Sequence, residues 1–97
     1  MEDLTFTSSL WRWEARDAWW FVTVPADLND AIRLGAGPPR GFGSVRVEAT
    51  VGSTSWRTSV FPDTRSGSFL LPVRQAVRRA EDLEEGEPVT VTLRVPG

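Results

Sequence analysis

The stretch SVRVEATVGSTSWRTSVFP, residues 44–62, decides the fold. Val45, Val47, Ala49 and Val51 alternate with Arg46, Glu48 and Thr50, the period of two that gives a strand one apolar and one polar face. Gly52, Ser53 and Thr54 form a tight turn, and SWRTSVF returns as a second strand, so the two make a hairpin. Pro62 is expected to stop the returning strand. Its alternation sets Trp56, Thr58 and Val60 on one face and Ser55, Arg57, Ser59 and Phe61 on the other, and neither face is purely apolar. Trp56, Thr58 and Val60 are assigned to the interior. Arg57 and Ser59 either meet solvent or join arginines from elsewhere in the chain.

The same period recurs on both sides of this hairpin. In LTFTSSLWRW, residues 4–13, Leu4, Phe6, Ser8 and Leu10 share a face opposite Thr5, Thr7, Ser9 and Trp11. EARD then turns the chain into AWWFVTV, residues 18–24, a strand of aromatic and β-branched residues that Pro25 ends. ADLNDAIRL sets Leu28, Ala31 and Ile32 at helical spacing with Asp27 and Asp30 near the start, which predicts a helix of about two turns. GAGPPRGFG, residues 35–43, is a loop, because its glycines and paired prolines neither continue a helix nor pair in a sheet. Beyond the central hairpin, PDTRSG is a turn and SFLL a short strand closed by Pro72. Pro72 suits a helix start, and Val73, Ala76, Val77 and Ala80 then form an apolar helical stripe. EDLEEGEP follows, with Gly86 letting the chain turn, and Val89, Val91, Leu93 and Val95 alternate through the last strand.

About six strands and two short helices without βαβ alternation predict a mainly β fold. A small closed or nearly closed β-barrel capped by helices fits best, because closure protects the strand edges; a sandwich is the alternative. Residues 1–97 form one domain, since a chain of 97 residues encloses one core.

Composition excludes much chemistry. There is no cysteine, histidine, lysine or tyrosine. Disulfides, thiolates, the usual general base, Schiff bases and the commonest transition-metal ligand are therefore all absent. No metal and no cofactor is expected, because GAGPPRGFG matches neither phosphate-binding fingerprint and no carboxylate spacing resembles a metal loop. The remaining acids, in EDLEEGE and at Glu14 and Asp17, read as a solvated loop and as turn residues. No catalytic residue is assigned. No apolar run approaches the roughly 18 residues of a membrane span, and MEDLTFTSS has no basic and apolar leader, so the expected location is the cytoplasm.

The arginines and tryptophans are the candidates for binding. All eleven cations are arginine, against thirteen acids, and the net charge of −2 argues against a nucleic-acid coat or an anionic-membrane binder. Arg74 and Arg78 are four apart, and Arg74 stands near a helix start, where the macrodipole disfavours a cation by a few tenths to about 1 kcal/mol. Its partner is either a carboxylate of the chain itself or an anionic ligand. Trp19 and Trp20 must point to opposite sides of their strand, so one of them lies outside the core unless both faces are covered. Indoles at a barrel rim either stack on a ligand or close the barrel end.

The order of W-x-W, AWWFVTVP, RGFGSVRVEATVG, WRTSVFP, GSFLLPVRQAVRRA and EEGEPVTVTLRV closely resembles the bacterial and archaeal family known as domain of unknown function 1905. The resemblance covers nearly the whole chain. It implies a small barrel related to the AbrB-like double-split barrels, occurring alone or fused to a YdeI-like segment linked to bacteriocin protection. The matching positions are Trp19, Pro25, Arg40, Gly41, Trp56, Thr58, Ser59, Phe61, Pro62, Leu71, Pro72, Arg74, Arg78 and Gly86. Arg74 stands where the family commonly has lysine, and Glu87 where it commonly has aspartate; both keep the charge, and arginine adds a planar fork.

The expected function is a non-catalytic binding module for a small anionic ligand or an acidic segment of a protein partner, acting as a monomer or a homodimer. Its candidate ligand-binding residues are Trp19, Arg40, Trp56, Arg57, Thr58, Ser59, Arg74 and Arg78. One alternative is a DNA-binding or regulatory dimer of the AbrB-like kind, which the acidic balance disfavours. The other is an enzyme working with carboxylates alone.

Overall fold

A computed structural model describes residues 3–14, 19–36 and 43–96. The strands are β1 (Asp3–Trp13), β2 (Trp19–Thr23), β3 (Val45–Val51), β4 (Thr54–Asp63), β5 (Ser68–Pro72) and β6 (Pro88–Arg94). A 3-10 turn (Ala26–Leu28) leads into helix α1 (Asn29–Ala36), and a second helix, α2 (Gln75–Ala80), lies between β5 and β6.

Each amphipathic strand has to bury one face, and six of them do so by closing on themselves. The strands join antiparallel in the order β1-β2-β5-β4-β3-β6, a closed barrel. The expected mainly β barrel with two short helices is what the chain forms. The central hairpin pairs Val45 with Val60 through Val51 with Thr54, so the whole turn is Gly52 and Ser53, with Gly52 at a φ of 58° that suits glycine. β1 pairs with β6 from Asp3↔Arg94 to Ser9↔Pro88, then switches to β2 from Leu10↔Val22 to Trp13↔Trp19. The register places Phe6 and Leu10, Val22, Val47 and Ala49, Val60, Leu71, and Val91 and Leu93 in one sealed core. Every one of these residues is in phase with its strand's apolar face.

Several local expectations are corrected, among them the start of the glycine-proline loop, since Gly35 and Ala36 complete α1. β4 does not stop at Pro62 but runs to Asp63, pairing Pro62 with Phe69. β3 has already ended opposite Val60, so no ladder bond on that side is lost to a residue without an N–H. Pro72 does not begin a helix; it is the last residue of β5, opposite Phe21. The Val73 amide still donates to Trp20 O at 2.9 Å and Arg74 is extended, so helical geometry starts only at Gln75. As a result Val73 and Val77 are buried while Ala76 and Ala80 face solvent. Residues 15–18 of the first turn, Asp17 among them, and residues 37–42 of the glycine-proline loop lie outside the described residues. Among the described residues, no helix is long and apolar enough to cross a membrane.

Candidate functional site

The site arises where the barrel wall opens. β4 is paired with β3 from Thr54 to Val60, but it meets β5 only from Phe61 to Asp63. β5 ends at Pro72, and the chain leaves the sheet for α2, so the edge of β4 from Thr54 to Val60 that faces away from β3 has no strand partner among the described residues. The two faces of this free edge look into two cavities. Trp56 and Thr58 face an inner cavity of about 330 Å³ at the barrel end, completed by Trp19, Trp20, Pro72, Val73, Arg74, Gln75 and Arg78. Arg57, Ser59 and Phe61 face an outer groove of about 830 Å³, which Arg46, Glu48 and Arg94 line across β3 and β6. Trp19, Thr58 and Pro72 border both.

Arg78 dominates the inner cavity. Its guanidinium lies over the Trp20 ring, 4.6 Å from the centroid, and its Nε is sealed from solvent with no hydrogen-bond partner. Burial, with a lesser push from the neighbouring Arg79, pulls the Arg78 pKa below its ordinary value. Arginine nevertheless keeps its charge at any physiological pH. Arg74 is the residue preceding α2; its carbonyl accepts from the amides of Val77 and Arg78, both at 3.1 Å, while its side chain makes no capping bond. The ion pairs among the described residues are Arg12–Glu14 at 2.9 Å and Arg94–Asp3 at 3.1 Å. The internal carboxylate open as a partner for Arg74 is therefore not found there, and no carboxylate lines the inner cavity.

The outer groove has a different electrostatic character. Glu48 stands opposite both Arg57 and Arg94 in the strand registers, and Arg46 stands opposite Ser59. Arg94 is engaged by Asp3, whose carboxyl that bond holds below the usual carboxylate range. Arg46 and Arg57 have no carboxylate within ion-pair distance among the described residues. Around them stand Trp19, half exposed at 50%, and Phe61 at 43%. The Trp19 ring stacks on Phe21 at 6.1 Å, and Phe21 in turn meets Trp11 at 5.1 Å.

The eight expected binding residues are thus divided. Trp19, Trp56, Thr58, Arg74 and Arg78 line the inner cavity; Arg57 and Ser59 lie across the strand from them, so they do not join the helix arginines. Arg40 lies outside the described residues. Trp56 and Thr58 face inward as expected, though they border a cavity and are only partly buried. Trp20, Gln75, Arg46, Glu48 and Arg94 were not among the expected residues. Trp20 was within reach of sequence reasoning, being in phase with the inward Val22 and Val24. Arg46 and Arg94 had no such signal, because their place in the groove depends on which strands become neighbours.

The family model for the domain of unknown function DUF1905 matches residues 6–93. The chain belongs to that family. No curated protein matches it.

Proposed function

We propose that this member of the DUF1905 family is a non-catalytic binding module that holds a small anionic ligand in the cavity between α2 and β4. The observation that carries this reading is that Arg74 and Arg78 both line a cavity that no carboxylate lines. An anion that enters the cavity meets two guanidinium groups with no carboxylate in the lining to compete for them. Trp20 fixes the Arg78 guanidinium in place before the ligand arrives, which reduces the ordering entropy of binding. The Thr58 hydroxyl and the Gln75 amide at the cavity wall add neutral donors, and the indoles of Trp19 and Trp56 offer faces to a planar ligand. A carboxylate or phosphate matches the planar fork of arginine in two parallel hydrogen bonds.

The test is a thermal-shift series with inorganic phosphate, acetate, citrate and nucleotides. A ligand at a hundred times its dissociation constant stabilises the fold by about 2.7 kcal/mol, which in a domain of this size raises the melting temperature by on the order of 10 °C or more. That shift should vanish in Arg78→Gln and fall in Arg74→Gln. An anion-induced shift that persists in both variants would place the site elsewhere.

A further inference from the structure

We infer that the opening in the barrel wall is a strand-addition site for an extended acidic segment of a partner protein. Its inner half rests on the anion-binding reading of the cavity; its outer half does not. The edge of β4 open to a partner runs for six residues, Thr54–Ser59, with β3 on one side and no strand on the other among the described residues, and ends at the fully buried Val60. An antiparallel ladder needs outward N–H and C=O groups from about every second residue, and an extended peptide supplies their counterparts.

Side-chain parity then selects the partner's chemistry. Successive residues of an added strand point to opposite faces of the sheet, as those of β4 do. One set would enter the inner cavity toward Arg74 and Arg78, and the other would enter the outer groove toward Arg46 and Arg57. Both compartments carry an excess of arginine over carboxylate, two against none inside, and outside Arg46 and Arg57 against Glu48, with Arg94 already paired to Asp3. Trp19 and Pro72, which border both compartments, give the added strand an apolar floor. The complement is a segment rich in glutamate or aspartate on both faces. A second copy of this chain fits less well: pairing two β4 edges would bring the Arg57 side chains of both copies to one seam, and like charges across a sheet are destabilising.

Calorimetric titration of the full chain with the capped heptapeptide Glu-Glu-Thr-Thr-Glu-Glu-Thr, which carries glutamate on both faces of an extended strand, alongside inorganic phosphate, tests the inference, with the β4 amides followed by NMR. The peptide should bind and shift the amides of residues 54–59, and N-methylating two of its internal amides should weaken it by roughly tenfold or more, since the ladder bonds are lost while every charge is kept. Replacing its glutamates with glutamine should weaken it comparably. Arg57→Gln should weaken the peptide about tenfold and leave phosphate unaffected. Equal binding of the N-methylated peptide, or no binding of the parent peptide at millimolar concentration, would overturn strand addition while leaving phosphate binding to stand or fall separately. Concentration-dependent dimerisation that shifts the same amides would overturn it too, by making a second copy the occupant. Failure of phosphate alone, with the peptide still bound in an Arg57-dependent way, would remove the small-anion reading and keep this one.

Discussion

A single carboxylate, Asp63, organises the turn that joins β4 to β5. It accepts from the Ser66 hydroxyl at 2.7 Å and from the amides of Arg65 and Ser66 at 3.4 and 3.3 Å. The bond from the Ser66 hydroxyl is the largest cause holding its pKa below the ordinary carboxylate value; the two amides and the Arg65 charge act the same way, and desolvation opposes them. The folded-state pKa is depressed, so the stabilisation is present above the unfolded value near about 3.9 and is lost as pH falls through the lower folded value. Asp63→Ala should cost about 1 kcal/mol at pH 7, with urea midpoints of the two proteins converging as the pH falls below about 4. A stability difference that stays constant down to pH 2 would show that the charge plays no part. The turn itself was legible in PDTRSG from its residue types, whereas the side chain that organises it was not singled out. Asp82 was less legible still: it takes a φ of 52° after α2, where glycine is the usual occupant.

Helix α2 forms the movable-looking wall of the inner cavity, yet both of its ends are tied. At its start, the Val73 amide bonds to Trp20 O. At its end, Leu83 N donates to Arg78 O at 2.8 Å and Asp82 N to Arg79 O at 3.3 Å, the paired bonds that close a helix through a left-handed residue. Glu81 then reaches to the β3–β4 turn, where its carboxylate accepts from the Thr54 hydroxyl at 2.6 Å. That contact passes over Gly52, where a Cβ would collide with the same carboxylate. Gly52→Ala therefore combines an unfavourable positive φ with displacement of Glu81, and should destabilise the protein by about 1–3 kcal/mol. Because α2 carries Arg78, the same variant should also weaken phosphate binding severalfold, though residue 52 lines neither cavity. Unchanged phosphate affinity in a destabilised Gly52→Ala would mean that the cavity wall is held by its other end alone. The helical spacing of α2 was visible in the sequence, but its start was misplaced, because a proline that can open a helix can equally finish a strand.

At the scale of the whole molecule, what was legible follows from strand periodicity and what was not follows from strand neighbours. Alternation in residues 44–60 and in Val89 to Val95 specified which side chains face inward, and a set of half-apolar strands with turn residues between them has few ways to bury its faces other than closure. The opening beside β4 depends on where β5 departs, a tertiary event without a periodic signature, so the expected binding residues could be named but not divided between two compartments. The same topology makes a kinetic prediction. Closure of the barrel requires β1 to pair with β6 over seven register positions, the first being Asp3 with Arg94, 91 residues apart along the chain. Such distant pairing carries a loop-closure cost before any contact rewards it, and barrels of this kind fold in milliseconds to seconds. Joining residue 97 to residue 1 through a short glycine-serine linker and opening the chain between Thr64 and Gly67 converts β1–β6 into a local hairpin. It makes only the three register pairs of β4 and β5 distant. The permutant should keep the barrel, lose the modest stability of the Asp63 turn, and refold faster than the parent by stopped-flow tryptophan fluorescence. A permutant that folds to the same barrel but more slowly would mean that the rate-limiting step is organised around the β4–β5 turn, with closure of β1 on β6 following it.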